Sequence, residues 1–306
     1  MADTLDTSIQ PPAISLTSLE NANASGTSSP PPPPLPELPY SLRDHKKSIA
    51  VVWTLLALDA AIMPLALFYP LWYASGLAPA YIFAVTTSLF GIISGLEWAY
   101  RSWQLWKKED VRPFGGKRNG FDFFHISYTT AYGISLLELI VGAAPQQPYI
   151  RLCAMPTPSF ILFFGGELLL FSILQALQIP TPFQISSQPK GATMRPATYM
   201  IVEDVVSVDT GVGRRYRKAI NDRYEASPMF RSMLHRLNLF WAIPALAVGA
   251  GCTAVVADDR VPQTIAYGIG WGVPPLWVCV WVLVTIYWVQ SSLRKEKEAW
   301  AKESRV

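Results

Sequence analysis

The sequence predicts an all-α, polytopic membrane helix bundle of about six transmembrane helices with both termini cytosolic. Three observations carry this. The 306 residues are 51% hydrophobic and only 15% charged, with a positive mean hydropathy, which is too apolar for an ordinary soluble domain. Six apolar stretches are each long enough to cross about 30 Å of hydrocarbon at 1.5 Å per residue. Finally, all of the 25 Lys and Arg residues except Arg151 and Arg260 fall on one side of a six-span arrangement, the side that the positive-inside rule makes cytosolic.

Residues 1–40 are rich in Ser, Thr, Asn and Ala and end in the prolines 30–34, 36 and 39. They read as a disordered cytosolic tail closing in a polyproline II spacer. The tail lacks the cationic start and apolar run of a secretory signal. The prolines also suit an SH3 or WW domain, and Asn23-Ala-Ser25 is a sequon kept on the unmodified side.

Residues 41–290 form the predicted transmembrane domain, with spans at 49–73, 80–103, 121–143, 158–177, 239–257 and 266–290. Arg43, Lys46 and Lys47 precede the first span, and Arg101 to Arg118 separate the second from the third. Lys190 to Arg236 separate the fourth from the fifth, and a basic cytosolic tail follows at 291–306. Trp and Tyr gather at span ends, as amphipathic rings do at an interface. Gly91 with Gly95, and Gly268 with Gly272, are small-residue pairs that let helices approach closely.

The longest connection, 179–238, reads as cytosolic. Its β-branched run around Glu203 and Asp204 precedes residues 216–237, whose basic and apolar residues alternate at helical spacing. That second part reads as an amphipathic helix lying on the membrane. Gly211-Val-Gly213-Arg-Arg215 has two uses: a phosphate cradle, or simply a turn before a solvated basic segment.

Several chemistries are disfavoured. Cys153, Cys252 and Cys279 imply no disulfide or zinc framework, and His45, His125 and His235 lack metal-ligand spacing. No cofactor or metal is expected. The basic residues lie in loops facing a lipid surface, which leaves nucleic-acid binding unsupported.

Four carboxylates fall within the first four spans: Asp59, Glu97, Glu138 and Glu167. Asp59 and Glu167 lie about 14–15 Å from an interface, Glu138 about 8 Å from the outer end, and Glu97 near the cytosolic end. An ionisable group in hydrocarbon costs a few kcal/mol or more, so each needs an explanation. For Glu97 the spacing offers an i,i+4 pair with Arg101. Asp122 and His125 read as an interface cap. Asp59, Glu138 and Glu167 have no cation in their own spans, and either hydrogen-bond across helices or act as buried acids. The spans also carry many rings, among them Trp53, Phe90, Trp98, Tyr128, Tyr132, Phe160, Phe164, Trp241, Trp271, Trp277 and Trp281. Aromatic faces around a buried acid are what protonation of an alkene or epoxide, and guidance of a carbocation, require.

The block Arg195-Pro-Ala-Thr-Tyr-Met-Ile-Val-Glu-Asp204, continued by Arg223-Tyr-Glu-Ala-Ser-Pro-Met-Phe-Arg231 and by Leu239-Phe-Trp-Ala242, resembles fungal integral-membrane terpene cyclases of meroterpenoid pathways, of the ascofuranone and macrophorin type. The likeness spans roughly residues 45–290 and carries over no established catalytic position. It implies a non-redox cyclisation of a farnesyl or epoxyfarnesyl intermediate in the endoplasmic reticulum or another endomembrane. A diphosphate-ionising aspartate cluster is absent, and Asp258-Asp259-Arg260 is an outer loop. Glu167 and Glu138 are then the candidate acid and final base, with Asp59 as their partner and Glu97 in reserve. The expected partners are a lipophilic small-molecule substrate, membrane lipids and pathway enzymes on the cytosolic face. Two other functions suit the same features: a proton-coupled transporter of a lipophilic metabolite, and a non-catalytic membrane scaffold.

Overall fold

The computed structural model describes residues 34–40, 51, 54–55, 57–89, 92–116 and 120–303. The expected tail and prolines before residue 34, the sequon at Asn23, the basic residues Arg43, Lys46 and Lys47, His45, Trp53, Phe90 and Gly91 lie outside the described residues.

Among the described residues every named element is helical. Helix α1 includes a π-helical turn, Leu58–Ile62, which follows helical residues at 51, 54–55 and 57 and continues as Met63–Ala74. Helices α2 (Pro79–Leu89) and α3 (Ile92–Lys107) follow, then α4 (Phe123–Ala143), the single turn α5 (Ile150–Cys153) and α6 (Pro156–Ala176). Beyond these come α7 (Ala197–Asp209), α8 (Arg214–Ala226), α9 (Pro228–Ala257) and α10 (Gln263–Glu303). Four of these, α4, α6, α9 and α10, are long and apolar enough to cross a membrane, and the protein is a membrane protein on that ground. The outward stripe Leu276, Val280, Leu283 and Tyr287 on α10, 58–80% exposed, is a lipid-facing surface at helical spacing.

Several boundaries differ from those the sequence predicts. The apolar stretch 80–103 is helical at 80–89 and at 92–103, the described residues within it. Helix α9 starts at Pro228, ahead of the expected 239, because Ser227 caps it by accepting from the Phe230 N–H and Pro228 occupies its first turn. Its polar start is helical because Phe230, Met233, Leu234 and Leu237 form one buried face. The segment expected as a basic tail continues α10 to Glu303, where Glu296 is buried against Arg223. Residues 216–237 are not one membrane-surface helix. They break at Ser227, and the face of α8 that carries Tyr216, Ile220 and Tyr224 is buried in the protein itself.

Two cores close the ends of the bundle. At one end Phe68, Ile82, Phe83, Leu139, Val256 and Tyr267 pack around Trp271, whose indole N–H donates to the Cys153 carbonyl. Gly268 makes this closeness possible, since a Cβ there would lie 2.2 Å from the Tyr69 hydroxyl; its small-residue spacing is used for α1–α10 packing. At the other end α7 and α8 form a cap over α4, α6 and α9, centred on Met200, Tyr216, Ile220 and Leu234. Leu38 and Tyr40 pack on this cap, and the Pro36 carbonyl accepts from Arg223. The end of the proline-rich segment is therefore docked on the chain itself.

Candidate functional site

Between the two cores lies a cavity of about 340 Å3, at the lower end of the range for small-molecule sites. Phe124, Tyr128, Tyr132 and Ser135 of α4 line one wall, at spacings that keep them on one helix face. Phe160 and Phe164 of α6 face them, and Pro274 and Pro275 of α10 close a third side. Tyr128 and Tyr132 stack nearly parallel at 5.9 Å, and Phe160 meets Tyr128 edge-on at 5.9 Å. Of the rings expected from the sequence, Trp271 is core, while Trp241, Trp277 and Trp281 cluster between α9 and α10. The cavity takes its aromatic character from α4 and α6.

Ala57, Ala60 and Ser94 complete the wall and bring Asp59 to it. Pro64 lacks an N–H and its ring excludes the Ala60 carbonyl, so the preceding turn widens into π register. There the Met63 N–H donates to Leu58, five residues back. Asp59 in that turn is 1% exposed. Its Oδ2 accepts from the Ser94 hydroxyl at 2.6 Å and the Ser94 N–H at 3.2 Å, while its buried Oδ1 has no hydrogen-bond partner. Ser94 lines the cavity together with Tyr128, so its hydroxyl joins the buried acid to the aromatic wall.

Glu138 and Glu167 do not line the cavity. Glu138 of α4 accepts from Ser159 of α6 at 2.5 Å, and Glu167 of α6 accepts from Ser127 of α4 at 2.6 Å. These reciprocal clamps are eleven residues apart on α4, or about 16 Å, and they bracket the cavity wall. Each leaves its Oε2 buried without a partner. Glu97 is exposed, and the pair expected with Arg101 does not form. Arg101 instead holds Asp122 at 2.7 Å and Asp209 at 2.5 Å, because two carboxylates, from the α4 cap and from α7, converge on it.

That convergence belongs to a buried ion cluster missed in the sequence. Arg217 of α8, fully buried, binds Asp204 at 2.6 Å and Glu203 at 3.0 Å, and donates to the Val111 carbonyl. Asp204 also accepts from the Phe124 N–H and the Ser186 hydroxyl. Asp122 caps α4 through the His125 N–H, as the sequence suggests. Burial, with Asp204 beside it, pushes Glu203 up to about 7 against the pull of Arg217. Burial and Asp122 likewise raise Asp204 to about 6 despite Arg217. Arg101 also lies over the Phe124 ring at 5.0 Å, which ties the cluster to the cavity wall. Gly211-Val-Gly213 is a turn: Gly213 has φ +62°, and a Cβ there would lie 2.5 Å from the Asp110 carbonyl oxygen. Arg214 after it pairs with Glu109.

The described residues thus form a helical membrane bundle with an aromatic-walled cavity and a buried acid one hydroxyl removed from the cavity wall. Residues 20–300 match the family model described as a domain of unknown function, DUF8766, and the chain belongs to that family. No curated protein and no solved structure matches it.

Proposed function

We propose that the chain is an integral-membrane terpene cyclase that folds a lipophilic prenylated substrate in this cavity and starts ring closure by protonation. The observation that supports this is an aromatic-walled cavity within an apolar bundle, with a buried carboxylic acid one hydroxyl removed from its wall. Asp59 is the proton source. Its proton passes by way of Ser94 to Tyr128, and the Tyr128 hydroxyl delivers one to the terminal epoxide oxygen or alkene carbon. The epoxide C–O bond opens, or the alkene electron pair takes up the proton. Internal double bonds then attack the cationic centre in turn to form C–C bonds. A C–H proton finally returns by the same hydroxyls to the Asp59 carboxylate, which restores the acid. The product is an isomer of the substrate, and acid catalysis of this kind needs no metal. Ring faces of Tyr128, Phe160 and Phe164 stabilise the moving cation by roughly 0.5–2 kcal/mol each.

The accompanying topology has six spans: α1, α2 with α3, α4, α6, α9 and α10. The cap of α7 and α8 then lies in the cytosol with both termini, on the side that carries all basic residues but Arg151 and Arg260. The membrane is that of the endoplasmic reticulum. A proton-coupled transporter would use the same acid, and Pro274-Pro275 at the cavity wall, where α10 can flex, favours it as a second reading.

The experiment supplies farnesyl and epoxyfarnesyl phenols to yeast microsomes containing the full chain and seeks products of unchanged mass. The wild type converts them, and Asp59→Asn lowers the rate by roughly 10²-fold or more without losing the fold. Full activity in Asp59→Asn removes Asp59 from the role. Accumulation driven by a pH gradient, without conversion, replaces the cyclase with a transporter.

A further inference from the structure

Of the side chains that line the cavity, Ser135, Pro156, Ile161 and Pro274 are buried and the others half-buried. These four mark its closed end, beside the core that contains Leu139, Ala154 and Trp271. Two hydroxyls tie that end together. Ser135 of α4 donates to the Pro156 carbonyl of α6 at 3.1 Å, and Thr157 of α6 donates to the Gly270 carbonyl of α10. Pro274, four residues after Gly270, has no N–H to give that carbonyl, so Thr157 takes the place of the missing helix bond. A hydroxyl carries one proton, and both are spent on carbonyls of the chain itself. The closed end is therefore a floor suited to an apolar chain tip.

Size is the second constraint. At the packing density of protein interiors, about 0.75, a cavity of about 340 Å3 holds about 250 Å3 of ligand atoms, or roughly fifteen carbons with their hydrogens. A farnesyl chain fills that space, and a phenol joined to it has no room beside the chain. None of the described lining residues is charged, so an anionic head group finds no partner inside. Tyr132 and Tyr128 lie three and seven residues before Ser135 on α4, or about 5 and 10 Å along the helix. A chain tip resting on the floor thus brings its terminal double bond or epoxide to the stretch of wall that carries these two tyrosines.

We infer that the cavity takes a linear isoprenoid of farnesyl length tip first, its terminal unit on the floor formed by Ser135, Pro156 and Thr157, while the head group stays outside and is not selected. The floor fixes how deep the chain travels, so Ser135 and Ile161 at the closed end determine chain length. Shorter chains leave part of the cavity unfilled, and longer ones push the terminal unit past its place or leave carbons outside. The claim that the bond held at this depth is the one protonated rests on the reading of Asp59 as the acid. The binding mode itself needs no proton.

The test uses the full chain in lipid nanodiscs and two farnesyl ethers carrying a photoreactive diazirine, one in the terminal isoprene unit and one in the head group. Irradiation, digestion and mass spectrometry locate the label. The terminal probe marks Ser135 and the stretch Pro156–Ile161, the head probe marks no cavity-lining residue, and excess farnesol suppresses the terminal label. Farnesyl methyl ether competes as farnesol does, whereas geraniol and geranylgeraniol need roughly tenfold more or worse, counted per lipid so that membrane partitioning cancels. Ser135→Leu fills the floor and makes geraniol the better competitor, and Ile161→Ala opens it and favours geranylgeraniol. The wild-type labels and competition decide the binding mode whether or not either variant folds. A terminal label at Phe124 or Phe164 with the head label on the floor overturns the inference. So does labelling that farnesol does not suppress, or equal competition by all three alcohols. A misplaced label leaves the isomerisation assay intact, and a correctly labelled floor with no isomeric product discards the cyclase alone.

Discussion

Replacing Arg217 with Met removes the cation at the centre of the cap. Its guanidinium holds Asp204 at 2.6 Å, Glu203 at 3.0 Å and Asp122 at 3.7 Å, all at 0–1% side-chain exposure. Breaking one side of a buried pair leaves uncompensated charge, at about 3–5 kcal/mol. For a domain of this size 1 kcal/mol corresponds to about 2–4 °C, so Arg217→Met melts roughly 10 °C below the wild type at pH 7.5. The sign of the pH dependence follows from Glu203, which burial and Asp204 hold up near 7 from an ordinary 4.5 even with Arg217 present. A raised acid favours folding most below its unfolded value, and that contribution, about 3 kcal/mol here, is lost as pH rises through 7. Without Arg217 the carboxylates rise further. The deficit is then largest above pH 7 and narrows toward pH 5, where the orphaned acids are neutral. Tryptophan-fluorescence melts in nanodiscs at both pH values measure it. A melting point within about 2 °C of wild type at pH 7.5, or a deficit that does not shrink at pH 5, refutes the reasoning.

Three further outcomes are expected. Gly213→Ala combines a positive φ with a contact of 2.5 Å to the Asp110 carbonyl oxygen and destabilises by about 1–3 kcal/mol, which the same melts detect. Asn238→Ala strips partners from the Thr198 N–H, the Thr198 hydroxyl, the Leu168 carbonyl and Ser172, at about 2–3 kcal/mol; a melt identical to wild type would contradict this. Glu296→Gln weakens the buried pair with Arg223, which also donates to the Pro36 carbonyl. Trypsin then cuts sooner at Lys295 and Lys297, read by timed digestion and mass spectrometry, and an unaltered cutting rate rejects the coupling.

The four long apolar helices were legible because their composition has only one solvent in which it is stable, and Asp122 was legible as a cap because Asp before a helical run has a local reason to be there. What the sequence hid was pairing between distant segments. Arg101 at i+4 from Glu97 suggests a local pair, but α7 folds back to offer the Asp204 carbonyl and the Asp209 carboxylate, the α4 cap offers Asp122, and Arg101 follows them. Arg217 had a faint signal. It shares the 217, 220, 224 stripe of α8 with Ile220 and Tyr224, and a cation on an apolar face calls for a buried carboxylate such as Glu203 or Asp204. Depth along the spans placed Asp59 and Glu167 alike. Depth is one-dimensional, whereas access to the cavity depends on which helix face an acid occupies and on the π turn that Pro64 imposes.

The distribution of cations explains why the remaining acids are chemically available. Arg101 and Arg217 are bound to the cap carboxylates, Arg223 to Glu296, and Arg151 to the Val256 and Val261 carbonyls at the far end. The acids inside the bundle are left with serine: Asp59 with Ser94, Glu138 with Ser159 and Glu167 with Ser127. An arginine cannot give up its proton, but a hydroxyl both donates and accepts. An acid paired with arginine is fixed as a charge, whereas an acid paired with serine can exchange its proton along the contact. The fold thus keeps its buried ion pairs in the cap and its serine-bonded acids within the bundle, and Asp59 is the acid whose serine also lines the cavity.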